Sequence, residues 1–322
     1  MRYVEAGGAR VSSIGLGCWQ FGSSDWGYGK EYGDTVAVPL VHYALDHGVN
    51  LIDTAEIYAK GVSEAIVGRA LEGRRDDAFL ATKVVPTWPT AARVEEHGRL
   101  SSMRIGVKTI DLYQQHWPNP AVPISSTMEG MRRLQDAGIV KHVGVSNFGV
   151  NRWKSAERAL GRPVLSNQVR FNLLQRKHDD GNVPYAQAND RIVIAYSPLA
   201  QGVLGGRYDA AHPPAGPTRL NNPLCLPENL ERAGALIDAL RRVAAAHDAT
   251  PAQVSLAWLI RKPNVVAIPG ASSVDQLRHN IEAGDLELTD AEADELTHES
   301  QRFVPLNLAG TAKGRLRAGK TA

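Results

Sequence analysis

Residues 49–73, VNLIDTAEIYAKGVSEAIVGRALEG, combine a strand-type run with a helical pattern. Three of the first four residues are apolar, and together the four form a short run of strand type that ends in the charged residue Asp53. After a short loop, apolar residues recur at helical spacing in SEAIVGRALEG, and a glycine stands where that helix would end. A strand followed by a helix is the unit from which parallel sheets with crossover connections are built.

The same strand–helix unit recurs along the chain. Runs of strand type are predicted at 13–19, 49–53, 78–83, 109–116, 140–146, 163–169, 191–197 and 265–269. Helical patterns such as DTVAVPLVHYALDHG and STMEGMRRLQDAG lie between them. An open doubly wound sheet should carry Gly-x-Gly-x-x-Gly after its first strand, and GLGCWQFG does not have that order. The sequence therefore predicts a single (β/α)8 TIM barrel within residues 1–312.

The sequence also predicts segments that do not belong to the repeated strand–helix units. RYVEAGGARVS alternates around Gly7-Gly8 and is typical of an N-terminal β-hairpin. The loops at 20–33 and 198–228 are rich in glycine or proline, and the second is too long for a routine connection, which favours a functional role. Extra C-terminal helices are expected, one over 229–247, one that begins after Thr250 and one after LELTDAEADEL. Residues 313–322 are expected to form a flexible basic tail.

Composition narrows the function classes. The chain has 322 residues, 43% of them hydrophobic, and a formal net charge of +2 with both signs interspersed. A large core without disulfides is feasible at this length, and no basic patch suggests a nucleic-acid partner. Only two cysteines, no signal-peptide pattern and no long apolar run predict a cytoplasmic protein without a membrane partner. The histidines lack metal-ligand spacing, so no metal is expected, and the oligomeric state stays open.

Polar side chains follow three consecutive predicted strands at the points where they end. These are Asp53, Lys83 and His116, and Tyr58 stands in the loop after the first. The carboxyl ends of barrel strands converge on one face, where active sites lie. A desolvated Lys83 needs a carboxylate partner, which Asp53 supplies, and its ammonium should lower the pKa of Tyr58 from about 10. A phenol acid beside an imidazole donor suits carbonyl reduction by a hydride-carrying cofactor.

Each of these residues also has a structural interpretation when it is taken alone. Asp53 could cap a helix, Tyr58 could be a packing residue, and Lys83 could end a strand in solvent. His116 could be a satisfied core histidine. Their joint position at the predicted active end of the barrel favours the catalytic interpretation.

The same segments resemble the aldo-keto reductase family. NLIDTAEIYAKGVSEAIVGRAL, ATKV and DLYQQHWPN resemble the segments that carry its catalytic Asp, Tyr, Lys and His. VGVSNF, SNQVRFNLL, AYSPLAQGVLGGRY and IPGASSVDQLRHNI resemble its cofactor-binding segments in order. The resemblance covers about residues 10–285. It implies a barrel that binds NADPH/NADP+, with NADH possible, and a Tyr58 acid assisted by Lys83, Asp53 and His116.

Residue by residue, the resemblance implies a cofactor site. It places the nicotinamide against Ser146, Asn147, Gln168 and Tyr196. It implies a loop over the pyrophosphate formed by Ser197, Pro198, Leu199, Gln201 and Gly202, with Arg207 as a phosphate-binding cation and Arg219 toward the 2′-phosphate. It places the adenosine end against Gly270, Ser272, Gln276 and Asn280, with Ser272 at the start of a helix. Trp19 and Trp117 are predicted to line a substrate pocket, whereas Trp26 and Trp88 are better explained as loop anchors.

The last cofactor segment departs from the best-known family pattern. Gly270-Ala271 stand where Lys-Ser is common, Gln276 stands at an Arg position, and His279 replaces a Glu. This form resembles the branch that includes the potassium-channel β subunits and many bacterial oxidoreductases. Because the Lys and the Arg of that pattern are absent here, the sequence leaves open whether the protein prefers NADP to NAD.

The sequence thus predicts a reversible NADPH-dependent reduction of aldehydes or ketones, with a small carbonyl or alcohol as the partner. Two other function classes stay open. One is an NADP(H)-binding regulatory or sensor protein with slow or no turnover. The other is a barrel lyase or isomerase that forms a Schiff base on Lys83.

Overall fold

The computed structural model describes residues 1–30, 32–220 and 222–306, so the predicted tail at 313–322 lies outside the described residues. The strands are β1 Tyr3–Ala6, β2 Ala9–Ser12, β3 Leu16–Gly17, β4 Leu51–Asp53, β5 Phe79–Val84, β6 Ile110–Gln115, β7 Val140–Ser146, β8 Val164–Arg170, β9 Ile192–Tyr196 and β10 Val265–Ile268. The helices are α1 Asp34–Asp46, α2 Val62–Ala70, α3 Ala91–Ile105, α4 Ile124–Asp136, α5 Val150–Leu160, α6 Asn182–Ala188, α7 Pro217–Leu220, α8 Pro227–Arg232, α9 Gly234–Ala246, α10 Pro251–Ile260, α11 Val274–Glu282 and α12 Asp290–Arg302.

Strands β3 to β10 form one parallel sheet in which each strand pairs with the next in chain order. The two edges then meet, because the Gly15 N–H donates to the Ala267 carbonyl at 2.8 Å and the Ala267 N–H donates to the Ser13 carbonyl at 2.9 Å. Gly17 lies at this seam, where a Cβ atom would come within 2.8 Å of the Ile268 carbonyl oxygen. The predicted (β/α)8 barrel is therefore confirmed.

The hairpin β1–β2 is also present, and it turns at Gly7 and Gly8 with positive φ angles of 55° and 77°. The Gly7 N–H donates to a carboxylate oxygen of Asp190 at 2.8 Å, and Leu165 packs against Gly7. Both partners lie at the amino-terminal ends of strands β8 and β9. The hairpin consequently covers the end of the barrel opposite the carboxyl ends of the strands.

Apolar side chains from six of the barrel strands and from the hairpin pack together in the interior of the barrel. They form one buried cluster of Ala6, Ala9, Val11, Leu51, Ala81, Leu112, Leu165, Ile192, Ile194, Val266 and Ile268. The carboxyl ends above this layer carry polar side chains instead. In barrels of this kind, residues toward the amino-terminal ends of the strands stabilise the fold, and residues at the carboxyl ends form the active site.

The helices around the sheet mostly follow the sequence prediction, with two corrections. The helix expected after LELTDAEADEL begins within that stretch, because Thr289 is the N-cap of α12 and closes a capping box with Glu292. The single helix expected over 229–247 is two helices, α8 and α9, because Ala233 has ψ near zero (−8°) and interrupts the ladder just before Gly234. Helix α10 begins as predicted, with Thr250 as N-cap and Gln253 closing a reciprocal capping box. Within the described part of the chain, no helix combines the length and apolar character needed to cross a bilayer.

Candidate active site

An ion pair lies at the carboxyl ends of β4 and β5. Lys83 is completely buried, and its ammonium Nζ lies 2.6 Å from Oδ1 of Asp53. The same ammonium donates to the Thr54 carbonyl at 2.8 Å and to the Tyr58 hydroxyl at 3.2 Å. The structure thus brings Asp53, Tyr58 and Lys83 together around one charge.

Burial and charge act against each other in this group. Burial by itself would lower the pKa of Lys83, but the charge of Asp53 and the hydrogen bonds raise that pKa above its usual value, so the amine stays protonated. Burial raises the pKa of Tyr58 to about 12, although the positive charge of Lys83 acts to lower that pKa. The prediction that Lys83 would bring the pKa of Tyr58 below its usual value is therefore wrong for the net direction, because the loss of phenolate hydration outweighs the ammonium.

The second oxygen of the buried carboxylate has its own partner. Gln168 at the end of β8 donates from Nε2 to Oδ2 of Asp53 at 2.8 Å. Gln168 was predicted only as a cofactor contact, so this link between the predicted catalytic and cofactor groups was missed. Both carboxylate oxygens of Asp53 therefore accept hydrogen bonds, one from Lys83 and one from Gln168. These two bonds fix the orientation of the carboxylate that faces Lys83.

His116 follows directly after β6, and its ring lies edge-on to the ring of Tyr58 with centroids 5.7 Å apart. Burial, and then the nearby charge of Lys83, lowers the pKa of His116 to about 2, so the imidazole is neutral near pH 7. Its Nδ1 atom is buried and has no hydrogen-bond partner among the described residues. Trp117 stacks on the imidazole with centroids 4.0 Å apart and stiffens its position.

The predicted nicotinamide contacts form one hydrogen-bonded cluster. Ser146 Oγ donates to the Gln168 carbonyl at 2.8 Å. The Asn147 amide donates to Ser146 Oγ at 3.0 Å and to the His116 carbonyl at 3.2 Å. The Tyr196 hydroxyl donates to Oδ1 of Asn147 at 2.9 Å. Amide, hydroxyl and aromatic groups are thereby gathered beside the Tyr58–Lys83 pair.

The loop after β9 has an unusual backbone. Ser197, Gln201 and Gly202 have positive φ angles of 49°, 58° and 98°, and residues Ala200–Gly205 form a short 3-10 turn. Pro198 is buried and Leu199 is half-buried against the core, so both anchor the loop. The Asn172 amide, which was not predicted, donates to the Ser197 carbonyl at 3.0 Å.

Two cations lie along this loop. The Arg207 guanidinium lies over the ring of Tyr208 at 4.6 Å. The Arg219 guanidinium lies 6.0 Å from the same ring and 5.2 Å from the ring of Trp26, and its Nε donates to the Gln201 carbonyl at 3.3 Å. The Arg219 guanidinium therefore joins the loop at 198–228 to the loop at 20–33, because it lies over the ring of Trp26.

The third predicted cofactor segment lies at the seam of the barrel. A Cβ atom on Gly270 would meet the Gln20 amide oxygen at 2.7 Å, and the Asn280 amide donates to the Gly270 carbonyl at 3.4 Å. Ser272 donates from its backbone N–H to Oε1 of Gln276 at 3.0 Å. Ser273 is the N-cap of α11, so the prediction that Ser272 begins the helix is wrong by one position. Adjacent serines are equally good caps, and the sequence could not choose between them.

Aromatic side chains surround the mouth of the site. Trp19 and Trp117 are each 42% exposed, and Trp26 packs edge-on against Trp19 with centroids 5.2 Å apart. Trp88 is 56% exposed and, with Pro118, lines a shallow groove of about 330 Å³. Trp19 and Trp117 are therefore exposed enough to contact a substrate, and Trp26 packs against Trp19.

Thr54 and Gln20 are further polar residues that the sequence did not single out. Thr54 contributes only its backbone carbonyl to Lys83, and Gln20 donates to the Ala271 carbonyl at 3.0 Å. Neither contact can be predicted from residue type alone. Among residues 1–30, 32–220 and 222–306, no group of three or more His, Cys, Asp or Glu side chains is placed to hold a metal ion.

Comparison with known proteins finds relatives and solved structures that match nearly the whole chain. An uncharacterized oxidoreductase of Mycobacterium tuberculosis is 49% identical over 308 residues, which is 95% of each chain. A crystal structure of an aldo/keto reductase from Klebsiella pneumoniae in complex with NADP and acetate superposes with a TM-score of 0.74, at 30% identity over 92% of this chain and 94% of that one.

A glycerol dehydrogenase from Gluconobacter oxydans superposes with a TM-score of 0.83, at 28% identity over 95% of this chain and 97% of that one. Residues 13–299 match the sequence pattern of the Aldo/keto reductase family. The match spans nearly the whole barrel and includes all the strand ends described above. The protein therefore belongs to the aldo/keto reductase family.

Proposed function

We propose that this protein is an NADPH-dependent oxidoreductase that reduces aldehydes or ketones to alcohols, reversibly, with Tyr58 as the proton donor. One observation carries the proposal: the Tyr58 hydroxyl lies 3.2 Å from the buried ammonium of Lys83, which is itself paired with Asp53 at 2.6 Å. A phenol held against a fixed positive charge is suited to give up and recover a proton.

The residues around this group fit a nicotinamide dinucleotide. Ser146, Asn147 and Gln168 offer hydroxyl and amide groups that complement a carboxamide, and Tyr196 offers a ring face beside them. Arg207 and the nearby Arg219 offer cations for phosphates along the loop after β9. The Klebsiella relative that was crystallised with NADP supports the same choice.

The adenosine end is expected to lie against Gly270, Ser272, Gln276 and Asn280. The absence of a Cβ atom on Gly270 keeps the chain close to Gln20, and Ser272 stands just before the N-terminus of α11. Backbone N–H groups at such a helix start favour an anion such as the 2′-phosphate. The proposal therefore includes a preference for NADPH over NADH, although Gln276 stands where an Arg is common in the family.

The chemistry divides between the cofactor and this chain. NADPH supplies the hydride when it is bound. Tyr58 is protonated at neutral pH, because burial raises its pKa to about 12, and it can give that proton to the carbonyl oxygen. Lys83 then stabilises the phenolate, and Asp53 keeps Lys83 charged. Alcohol oxidation uses the same groups in reverse and needs the phenolate, so it should be favoured at high pH.

His116 is expected to orient the substrate. The imidazole is neutral near pH 7 and lies edge-on to Tyr58, so an N–H can be directed at a carbonyl oxygen without placing a second positive charge beside Lys83. Trp117, stacked on the imidazole, and Trp19 would form the apolar walls of the substrate pocket.

The competing interpretations predict different results. A Schiff base on Lys83 needs a neutral amine, whereas the contacts with Asp53 and Tyr58 keep this amine protonated. A regulatory protein, as the predicted resemblance to the potassium-channel β-subunit branch suggests, would bind NADPH without turnover. That branch stays a prediction.

The test is a cofactor titration followed by turnover. The fluorescence of bound NADPH and NADH would be titrated, and cofactor oxidation would then be measured over a panel of aldehydes and ketones, with alcohols and NADP+ for the reverse reaction. The proposal predicts tighter binding of NADPH than of NADH, with turnover of at least one carbonyl class. Tight NADPH binding with no turnover of any panel member would favour the regulatory protein instead.

A further inference from the structure

The carboxylate of Glu56 lies between the two segments that carry Tyr58 and Lys83. Glu56 stands two residues before Tyr58, and only 8% of it is exposed. Its Oε1 accepts the backbone N–H of Val85 at 2.5 Å, two residues after Lys83, and its Oε2 lies 2.7 Å from Nδ1 of His97 on α3. One buried side chain therefore links the loop that carries the proposed acid to the backbone just after β5, the strand that carries its ammonium partner.

These contacts prolong the pairing of β4 and β5 past the end of β4. Beyond that end, the Thr54 N–H donates to the Ala81 carbonyl at 2.9 Å and the Glu56 N–H donates to the Lys83 carbonyl at 3.4 Å. The next backbone donor on this side of β5 is the Val85 N–H, and the Glu56 carboxylate accepts it. The Glu56 carboxylate thus accepts a hydrogen bond that a backbone carbonyl would otherwise accept. This contact fixes the position of the Tyr58 loop relative to β5.

We propose that Glu56 is a positioning residue whose carboxylate sets the distance between Tyr58 and Lys83. The inference rests on the proposed function, because this distance matters for turnover only if Tyr58 is the acid. The Glu56 carboxylate hydrogen-bonds to the Val85 N–H and contacts His97, whereas the Lys83 ammonium bonds to Asp53, the Thr54 carbonyl and the Tyr58 hydroxyl. Glu56 is therefore expected to act through the reach of its side chain and not through its charge.

A matched control exists at the other end of β5. Asp111 is also buried, and its Oδ2 accepts the backbone N–H of Leu80 at 2.9 Å, near the start of the strand. It is further held by Arg75 at 2.5 Å and Lys141 at 2.8 Å. Asp111 therefore makes the same kind of carboxylate–amide contact on the same strand, at the end away from Tyr58.

The test compares two conservative variants of Glu56 in the NADPH-dependent reduction. Glu56→Asp keeps the charge but shortens the side chain, so the carboxylate no longer reaches the Val85 N–H. Glu56→Gln loses the charge but keeps an oxygen for Val85 and an amide for His97. We expect kcat to fall about 10- to 100-fold in Glu56→Asp and to stay within about threefold of wild type in Glu56→Gln, with NADPH affinity unchanged in both.

Asp111→Ala and Tyr58→Phe complete the set, together with thermal melting of every variant. We expect Asp111→Ala to lower Tm and to keep kcat at temperatures well below it. The reverse order, with Glu56→Gln slow and Glu56→Asp fast, would show that charge matters and would overturn the positioning role. A loss of kcat in Asp111→Ala as large as in Glu56→Asp would also overturn it, because general destabilisation would then explain both.

The role of Tyr58 as the acid and the positioning role of Glu56 can be refuted separately. If Tyr58→Phe is inactive while Glu56→Asp turns over like wild type, only the positioning role is wrong. If Tyr58→Phe itself keeps wild-type turnover, the proposed acid is wrong, and the positioning role falls with it.

Discussion

Replacing Lys83 with methionine should destabilise the fold and remove the activation of Tyr58 at the same time. The ammonium is completely buried and bonds to Asp53, Tyr58 and the Thr54 carbonyl. Removing one partner of a buried ion pair costs about 3–5 kcal/mol, because the other charge is left unpaired. Gln168 still donates to Asp53, so the low end of that range, about 3 kcal/mol, is expected. For a chain of this size such a loss lowers Tm by about 4–5 °C.

A second substitution separates the structural loss from the catalytic one. In the double variant Lys83→Met with Asp53→Asn, no charge is left unpaired, so most of the lost stability should return. Turnover should not return, since Tyr58 still lacks its ammonium. The assays are chemical denaturation and NADPH-dependent reduction of all four members of the cycle. A single variant Lys83→Met as stable as wild type, or a double variant no more stable than that single variant, would refute the reasoning.

Two further predictions concern pH and the cofactor. Burial and then Lys83 lower the pKa of His116 from 6.5 to about 2, so below pH 6.5 the unfolded chain binds a proton that the folded chain does not. The free energy of unfolding should therefore fall by roughly 3 kcal/mol from pH 7 to pH 4, and denaturant melts of His116→Gln should show a flatter dependence; an identical slope would contradict this. Arg219→Ala should weaken NADPH binding about tenfold in a fluorescence titration, and a smaller loss for NADH would assign the guanidinium to the 2′-phosphate. Unchanged NADPH affinity would remove Arg219 from the cofactor site.

The barrel was predictable because its signals are local. Alternation of strand and helix patterns, the Gly7-Gly8 turn and the cap at Thr250 each depend on a few neighbouring residues. The meeting of Asp53 and Lys83 was also predictable, because the strands of this sheet are adjacent in chain order and their carboxyl ends share one rim.

The remaining differences depend on quantities that residue type does not contain. The contact of Gln168 with Asp53 joins strands from opposite sides of the barrel, and it depends on a side-chain rotamer. The net pKa of Tyr58 depends on how far burial outweighs the charge of Lys83, and residue type contains no measure of that balance. The choice of Ser273 as the cap of α11 depends on backbone geometry.

A single-turnover measurement on Tyr58→Phe tests whether Tyr58 donates the proton. The substitution removes one hydroxyl and keeps the ring that lies 4.8 Å from the Lys83 ammonium, so the fold and the NADPH affinity should be unchanged. Enzyme loaded with NADPH would be mixed rapidly with an aldehyde that the wild type reduces, and the loss of nicotinamide absorbance would be followed. The account predicts a rate about 10²- to 10⁴-fold below that of wild type. A rate equal to that of wild type would contradict it, because the proton would then come from another group.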